Sequence, residues 1–166
     1  METVSFSARI EVLDHMSHMH AIILPPGIIQ HIGRNFNLRL LVTLQDTLQF
    51  QGGVVSLGNG QGYISLTKNR MKTLGLHLGM VVSVRLEPDQ STYGLPICEE
   101  MQTILDLDEE GSRRFHQLTA GKQRTIIHYV GLVKSSQLRI DRALLYLENL
   151  KRLPEGKEPL SAIFGK

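Results

Sequence analysis

The sequence predicts an α+β protein, a small β-barrel followed by a helical bundle, because its hydrophobic period changes once. Up to about residue 88, apolar residues alternate with polar ones, as in half-buried strands. Beyond residue 96 they recur every three or four residues, as in helices packed on one face. Between the two lies EPDQSTYGLP (87–96), rich in turn formers. The expected organisation is a barrel over 1–88, a linker over 89–96, a helical region over 97–153 and a tail over 154–166.

The barrel elements follow in order. Residues 3–13 place Val4, Phe6, Ala8, Ile10 and Val12 on one face, with Thr3, Ser5, Ser7, Arg9 and Glu11 on the other. Residues 14–17 read as a turn and 18–24 as a second strand, stopped by Pro25-Pro26. Pro26 suits the first position of a short helix whose Ile28, Ile29 and Ile32 share a face, with Gly33 just past its end. Residues 37–44 alternate again through Leu38, Leu40, Val42 and Leu44. Gly52-Gly53 leads into a strand at 54–57, and Asn59-Gly60 is a type I′ hairpin signal into 63–67. Met71 and Leu74 mark one helical turn, Gly75 suits the left-handed conformation that ends it, and Gly79 permits the return into a strand at 80–86. Six or seven short strands with two helical insertions suggest a closed or nearly closed barrel.

In the second half, Ile97, Met101, Ile104 and Leu105 mark one helix. Asp108 suits the cap of a second, with Glu109 and Glu110 in its first turn and Phe115 and Leu118 below. Thr119 suits the cap of a third, carrying Ile126, Ile127, Val130 and Val133. Ser136 suits the cap of a fourth, whose apolar stripe is read as Ile140, Leu144, Leu147 and Leu150 before Pro154. The tail from Glu155 is expected to be loose, with Ile163 and Phe164 available to dock.

Composition narrows the function classes. Apolar content of 42% and charged content of 20% are those of a globular protein, and the net charge is only +2. The charge is unevenly placed: residues 96–110 hold six acids and no base, whereas residues 111–152 hold nine bases against Asp141 and Glu148. Cys98 is the sole cysteine, which excludes an intramolecular disulfide or a cysteine zinc cluster and is read as an inert thiol. The N-terminus has no signal-peptide pattern and no apolar run nears the roughly 20 residues a membrane span needs, so a cytoplasmic location without membrane insertion is expected. There is no nucleophile elbow, HExxH or Walker A motif. The reading is therefore non-enzymatic, with no cofactor implied.

Two stretches resemble known families. PICEEMQTILDLDEEGSRRFHQLTAGKQRTIIHYVGLVKSSQLRIDRALLYL is similar to the YdeI/OmpD-associated family, sometimes labelled bacteriocin-protection. The shared marks are an acidic helix, Phe115 to Leu118, the basic start at Lys122 to Arg124, and Val130, Lys134, Arg139 and Ile140. Tyr129 stands where the family often has Trp, and Leu138 where it has Thr. The first half resembles the 1905-type domain of unknown function through Phe6, Ala8 and Ile10, the Leu24-Pro25 step, and the run from Leu74 to Val84. That barrel is similar to the swapped-hairpin barrels of the AbrB type. Met80 departs from the usual Asp, which removes a polar or capping role there. Together the resemblances cover roughly residues 4–152. They imply no settled activity, only a role in stress or antimicrobial-peptide resistance by family label.

Three candidate sites follow. Arg139, Arg142, Tyr146 and Asn149 are read as one basic face opposite the apolar stripe, with Lys134 ending the preceding helix nearby, suited to a small anionic ligand or a partner protein. The same bases are equally placed to pair with the acidic segment, which is the favoured reading. His15, His18 and His20, with Asp14, suggest a metal site, against which stands an exposed histidine-rich turn. Lys68, Arg70 and Lys72 are the one basic cluster in the barrel, where seven bases meet six acids. The function expected is non-catalytic binding of a partner protein or small anion, with a DNA-binding regulator built on the barrel as the alternative.

Overall fold

The alternation at the N-terminus forms strand β1 (Val4–Leu13), with Ala8 and Ile10 buried and Ser5, Ser7, Arg9 and Glu11 exposed. A computed structural model describes residues 1–14 and 18–166. The chain divides into two units, Met1–Gln90 and Ser91–Lys166. The order in the first is β1, β2 (Met19–Leu24), α1 (Pro26–His31), β3 (Arg39–Leu44), β4 (Leu48–Gly53), β5 (Val55–Gly58), β6 (Gln61–Leu66), α2 (Lys68–Thr73) and β7 (Val81–Pro88).

All seven strands join one antiparallel sheet in the order β4-β3-β7-β1-β2-β6-β5. β4 and β5 stand at opposite ends of that order, yet only Val54 separates them in the chain. The sheet must therefore curl until its two ends meet the same short connection. The result is a half-barrel whose inner face holds Ile10, Ile22, Leu24, Leu40, Val42, Leu44, Ile64, Val84 and Leu86. Val54 is buried in this core at the bend. Gly62 makes the curl possible: a Cβ there would lie 2.7 Å from Val54 Cγ1, 2.9 Å from Ile29 Cδ1 and 3.1 Å from the Val55 carbonyl. A second small cluster of Leu13, Ala21 and Tyr63 occupies other positions of β1, β2 and β6.

Turn chemistry explains where sequence and structure agree. Asn59 and Gly60 both have positive φ, 50° and 73°, as a type I′ hairpin demands. The strand that alternation did not reveal is β4, LQFQGG. Its hairpin with β3 turns through Gln45 and Asp46, both at φ 51°, and neither residue pair nor strand carries the usual signal.

The second unit contains α3 (Glu99–Leu107), α4 (Glu109–Gln117), α5 (Ala120–Gly131), α6 (Ser136–Arg152) and α7 (Leu160–Ile163). The Asp108 side chain accepts from Gly111 N at 2.9 Å and Thr119 Oγ1 from Lys122 N at 3.4 Å, the two caps read from sequence. The cap of α6 is Ser135 rather than Ser136, with Oγ accepting from Leu138 N at 3.4 Å. The buried face of α6 also differs from expectation. It consists of Ala143, Tyr146, Leu147 and Leu150, while Leu144 is exposed. The run ALLYL offers two overlapping stripes of equal period, and small Ala143 lies on the one that packs closely.

The tail is ordered by three contacts. Ile163 is fully buried, and Asn149 Nδ2 donates to its carbonyl at 3.0 Å. Phe164 lies 4.8 Å from the rings of both Tyr129 and Tyr146. Arg114, 5% exposed, donates to the Leu153 carbonyl at 2.7 Å and pairs with buried Glu158 at 3.5 Å.

Two substitutions test these constraints by chemical denaturation. Gly62→Ala should destabilise by about 1–3 kcal/mol through overpacking. Arg114→Ala should cost about 3–5 kcal/mol, because it strands Glu158 in the interior.

Candidate functional site

α3 exists because Met101, Ile104 and Leu105 share one face, and its first turn carries Glu99 and Glu100, where the helix dipole favours carboxylates. The next turn of chain, Asp108, starts α4. Glu100 meets Arg139 of α6 at 2.7 Å, and Asp108 meets Lys151 of α6 at 3.0 Å, so α3 and α6 run side by side in the same direction. Between them opens a cleft of about 390 Å³ lined by Glu99, Glu100, Thr103, Ile104, Ser136 and Ile140.

Helical spacing extends both walls beyond the cleft. Leu107 follows Glu100, Thr103 and Ile104 on one face of α3, and Leu144 lies one turn past Ile140 on α6. Leu107 is 81% exposed and Leu144 47% exposed. The cleft itself has Ile104 and Ile140 in its lining, and Leu107 and Leu144 face solvent about one turn beyond it along the same helices. Exposed Glu99 lines the cleft, and exposed Asp141 lies beside Ile140 and on the α6 face of Leu144.

The cations beside this groove are already engaged. Arg139 donates to Glu100 Oε1 at 2.7 Å and to the carbonyls of Val133 and Lys134 at 3.1 and 2.9 Å. The Arg139 hydrogen bond, then one from Ser136, draws the Glu100 carboxyl from 4.5 down to about 2. Lys151 bridges Glu148 and Asp108, and both raise its ammonium above the ordinary lysine value.

The four residues read from sequence as one anion or partner site therefore take different places. Lys134 is exposed, Arg139 is locked between α3 and the α5–α6 connection, and Arg142 donates to the Tyr129 carbonyl at 2.8 Å. Tyr146 is buried, 7% exposed, against Phe164. Arg139 and Arg142 satisfy carbonyls at the end of α5 and in the segment after it, groups a helix leaves without partners.

The histidine segment is partly described. His15 lies outside the described residues. His18 Nδ1 is 3.1 Å from Asp14 Oδ1, with both side chains at least 80% exposed. His18 and His20 line a cleft of about 290 Å³ with Met19, Ser65, Leu66, Thr67 and Lys68. Among the described residues no three His, Cys, Asp or Glu side chains are grouped to hold a metal ion. Of the barrel cations, Arg70 stacks 3.7 Å above the Phe50 ring, and burial lowers its pKa. Cys98 is half-buried at the N-cap of α3 and makes no cap hydrogen bond.

Sequence reasoning missed the groove. Leu107 was the available signal: an apolar residue between Asp106 and Asp108 that no buried stripe uses. Comparison with known proteins bears on the first unit. Residues 6–86 match the family described as Domain of unknown function (DUF1905). The match agrees with the 1905-type resemblance and spans β1 into β7, the same strands that complete the curled sheet. No curated protein matches the chain. Among the described residues no helix is long and apolar enough to cross a membrane.

The Glu100–Arg139 pair makes a pH prediction. Because the folded-state carboxyl titrates near 2 instead of 4.5, its contribution is complete above about pH 4.5 and is lost as pH falls toward 2. In acid titrations of thermal stability, Glu100→Gln should flatten the decline over that window; curves of equal slope would rule the linkage out.

Proposed function

We propose that this protein is a non-catalytic binding protein that docks a partner protein in the groove between α3 and α6. Exposure of Leu107 and Leu144 carries the reading. Two large aliphatic side chains face water on adjacent helices, as Leu138 and Leu145 of α6 also do, while Ile104, Leu105, Leu147 and Leu150 are buried. A helix or extended segment laid along such walls buries apolar surface worth roughly 25 cal/mol per Å² before the costs of association.

Charge selects the partner. Glu99 and Asp141 rim the groove, while Arg139 is held by Glu100 and Lys151 by Glu148 and Asp108. A partner segment with aliphatic residues on one side and Lys or Arg along its flanks is complementary, and its association weakens as salt rises. This chemistry fits the resemblance of the helical half to the YdeI/OmpD-associated family and the peptide-resistance role in that family's label. A cytoplasmic binding protein is the corresponding whole-protein reading, with the DUF1905 unit as an AbrB-like barrel attached to the docking unit.

Photocrosslinking tests the proposal. A photoreactive residue placed at Leu144 should trap a partner in cell extract at low salt, and one placed at partly exposed Lys122 should not. The Leu107→Ser variant carrying the same probe should keep its melting temperature and lose most of the adduct. Equal adducts at both positions, or an adduct unaffected by Leu107→Ser, would remove the groove as the docking site.

A further inference from the structure

α6 carries a second exposed apolar row, on a face that the groove does not use. Leu138 and Leu145 are 51% and 49% exposed and stand two turns apart on one side of the helix. Arg142 lies between them on that side, and exposed Lys134 stands four residues before Leu138, just ahead of the helix. Arg142 spends one guanidinium nitrogen on the Tyr129 carbonyl and keeps its charge. At Asn149 the tail reaches this row, through the hydrogen bond to the Ile163 carbonyl, so its open part runs from Lys134 to Leu145. Successive residues of an α-helix are about 100° apart, so Leu144 of the groove wall and Leu145 of this row face different directions.

We propose that the partner docked between α3 and α6 is a second copy of this chain, which lays the Leu138–Arg142–Leu145 row of its own α6 into the groove. The proposal rests on the docking reading above and names its occupant. The groove calls for aliphatic residues with basic neighbours, and this row supplies both. Leu138 and Leu145 would cover Ile140, Leu107 and Leu144, while Arg142 and Lys134 would meet Glu99 and Asp141. Residues seven apart on a helix are separated by about 10 Å, and α3 rises about 12 Å from Glu99 to Leu107, so both leucines fit along the groove.

Such a contact is heterologous: the groove of one copy meets the row of the next. Each pair therefore keeps one free row and one free groove, and association runs beyond two copies unless it closes into a ring. The leucines are about half exposed, so the apolar area gained is modest and the association depends on concentration and salt.

The purified full chain with the photoreactive residue at Leu144 tests the occupant in the absence of any other protein. Irradiation should give an adduct of two chain masses that grows with concentration and falls as salt rises. In sedimentation, Leu107→Ser and the double variant Leu138→Ser/Leu145→Ser should each self-associate about tenfold more weakly, with unchanged melting temperatures. An equimolar mixture of the two should form a 1:1 complex, because one intact groove then meets one intact row. A chain that stays monomeric up to about 1 mM, or a mixture no more associated than its components, overturns the proposal. So does an adduct with a different protein in cell extract and none in the purified chain; the groove then remains a docking site with another occupant. Absence of any adduct in either setting removes both readings.

Discussion

Arg139 satisfies three acceptors at once, and the helical unit depends on that geometry. One guanidinium nitrogen reaches the carbonyls of Val133 and Lys134 at the α5–α6 connection, and another reaches Glu100 in the first turn of α3. A planar fork with fixed donor directions suits this task, whereas a lysine ammonium would reach only part of it. The consequence is that α3, α5 and α6 are placed relative to one another by a single side chain at one end. At the other end Lys151 and Asp108 repeat the link. The groove between α3 and α6 lies between these two clasps, which fix its width without filling it.

The same economy explains why a unit of modest net charge shows so lopsided a sequence. Acids cluster in α3 and early α4, bases in later segments, and the fold brings them together pairwise: Glu100 with Arg139, Glu110 and Glu155 with Arg113, Asp108 with Lys151. These pairs are partly exposed, so their value lies in orientation more than in stability. Glu99 and Asp141, which stand outside these pairs, lie beside the groove.

Much of the fold was legible because its determinants are local. Alternation in β1 and β7, the Asn59-Gly60 turn, and the Asp108 and Thr119 caps each involve residues close in sequence. β4 escaped because its turn places Gln45 and Asp46 in the left-handed region without glycine or asparagine. The face of α6 was misread because ALLYL is apolar over five consecutive positions, so tertiary contact chooses the stripe. The candidate sites were less legible still. Arg142 and Tyr146 lie on the flank predicted, but a buried tyrosine and a carbonyl-bound arginine look like a ligand site until the tail, with Phe164 against Tyr146, is folded onto them. The His18–Lys68 cleft unites residues fifty apart through β2–β6 pairing, which no local pattern encodes.

The position of β7 has a consequence for how the first unit comes into being. β7 pairs with β1 on one side and β3 on the other, and it is the last strand of the unit to be synthesised. Before it emerges, the chain holds two separate pieces, a β3–β4 hairpin and a β1–β2–β6–β5 set, each with an unpaired edge. Val4 waits for Leu86, a separation that makes this pairing slow to find. Until then both fragments present open strand edges of the kind that invite pairing with other chains. β7 is thus a keystone: its arrival closes two edges together and turns two marginal fragments into one cooperative sheet.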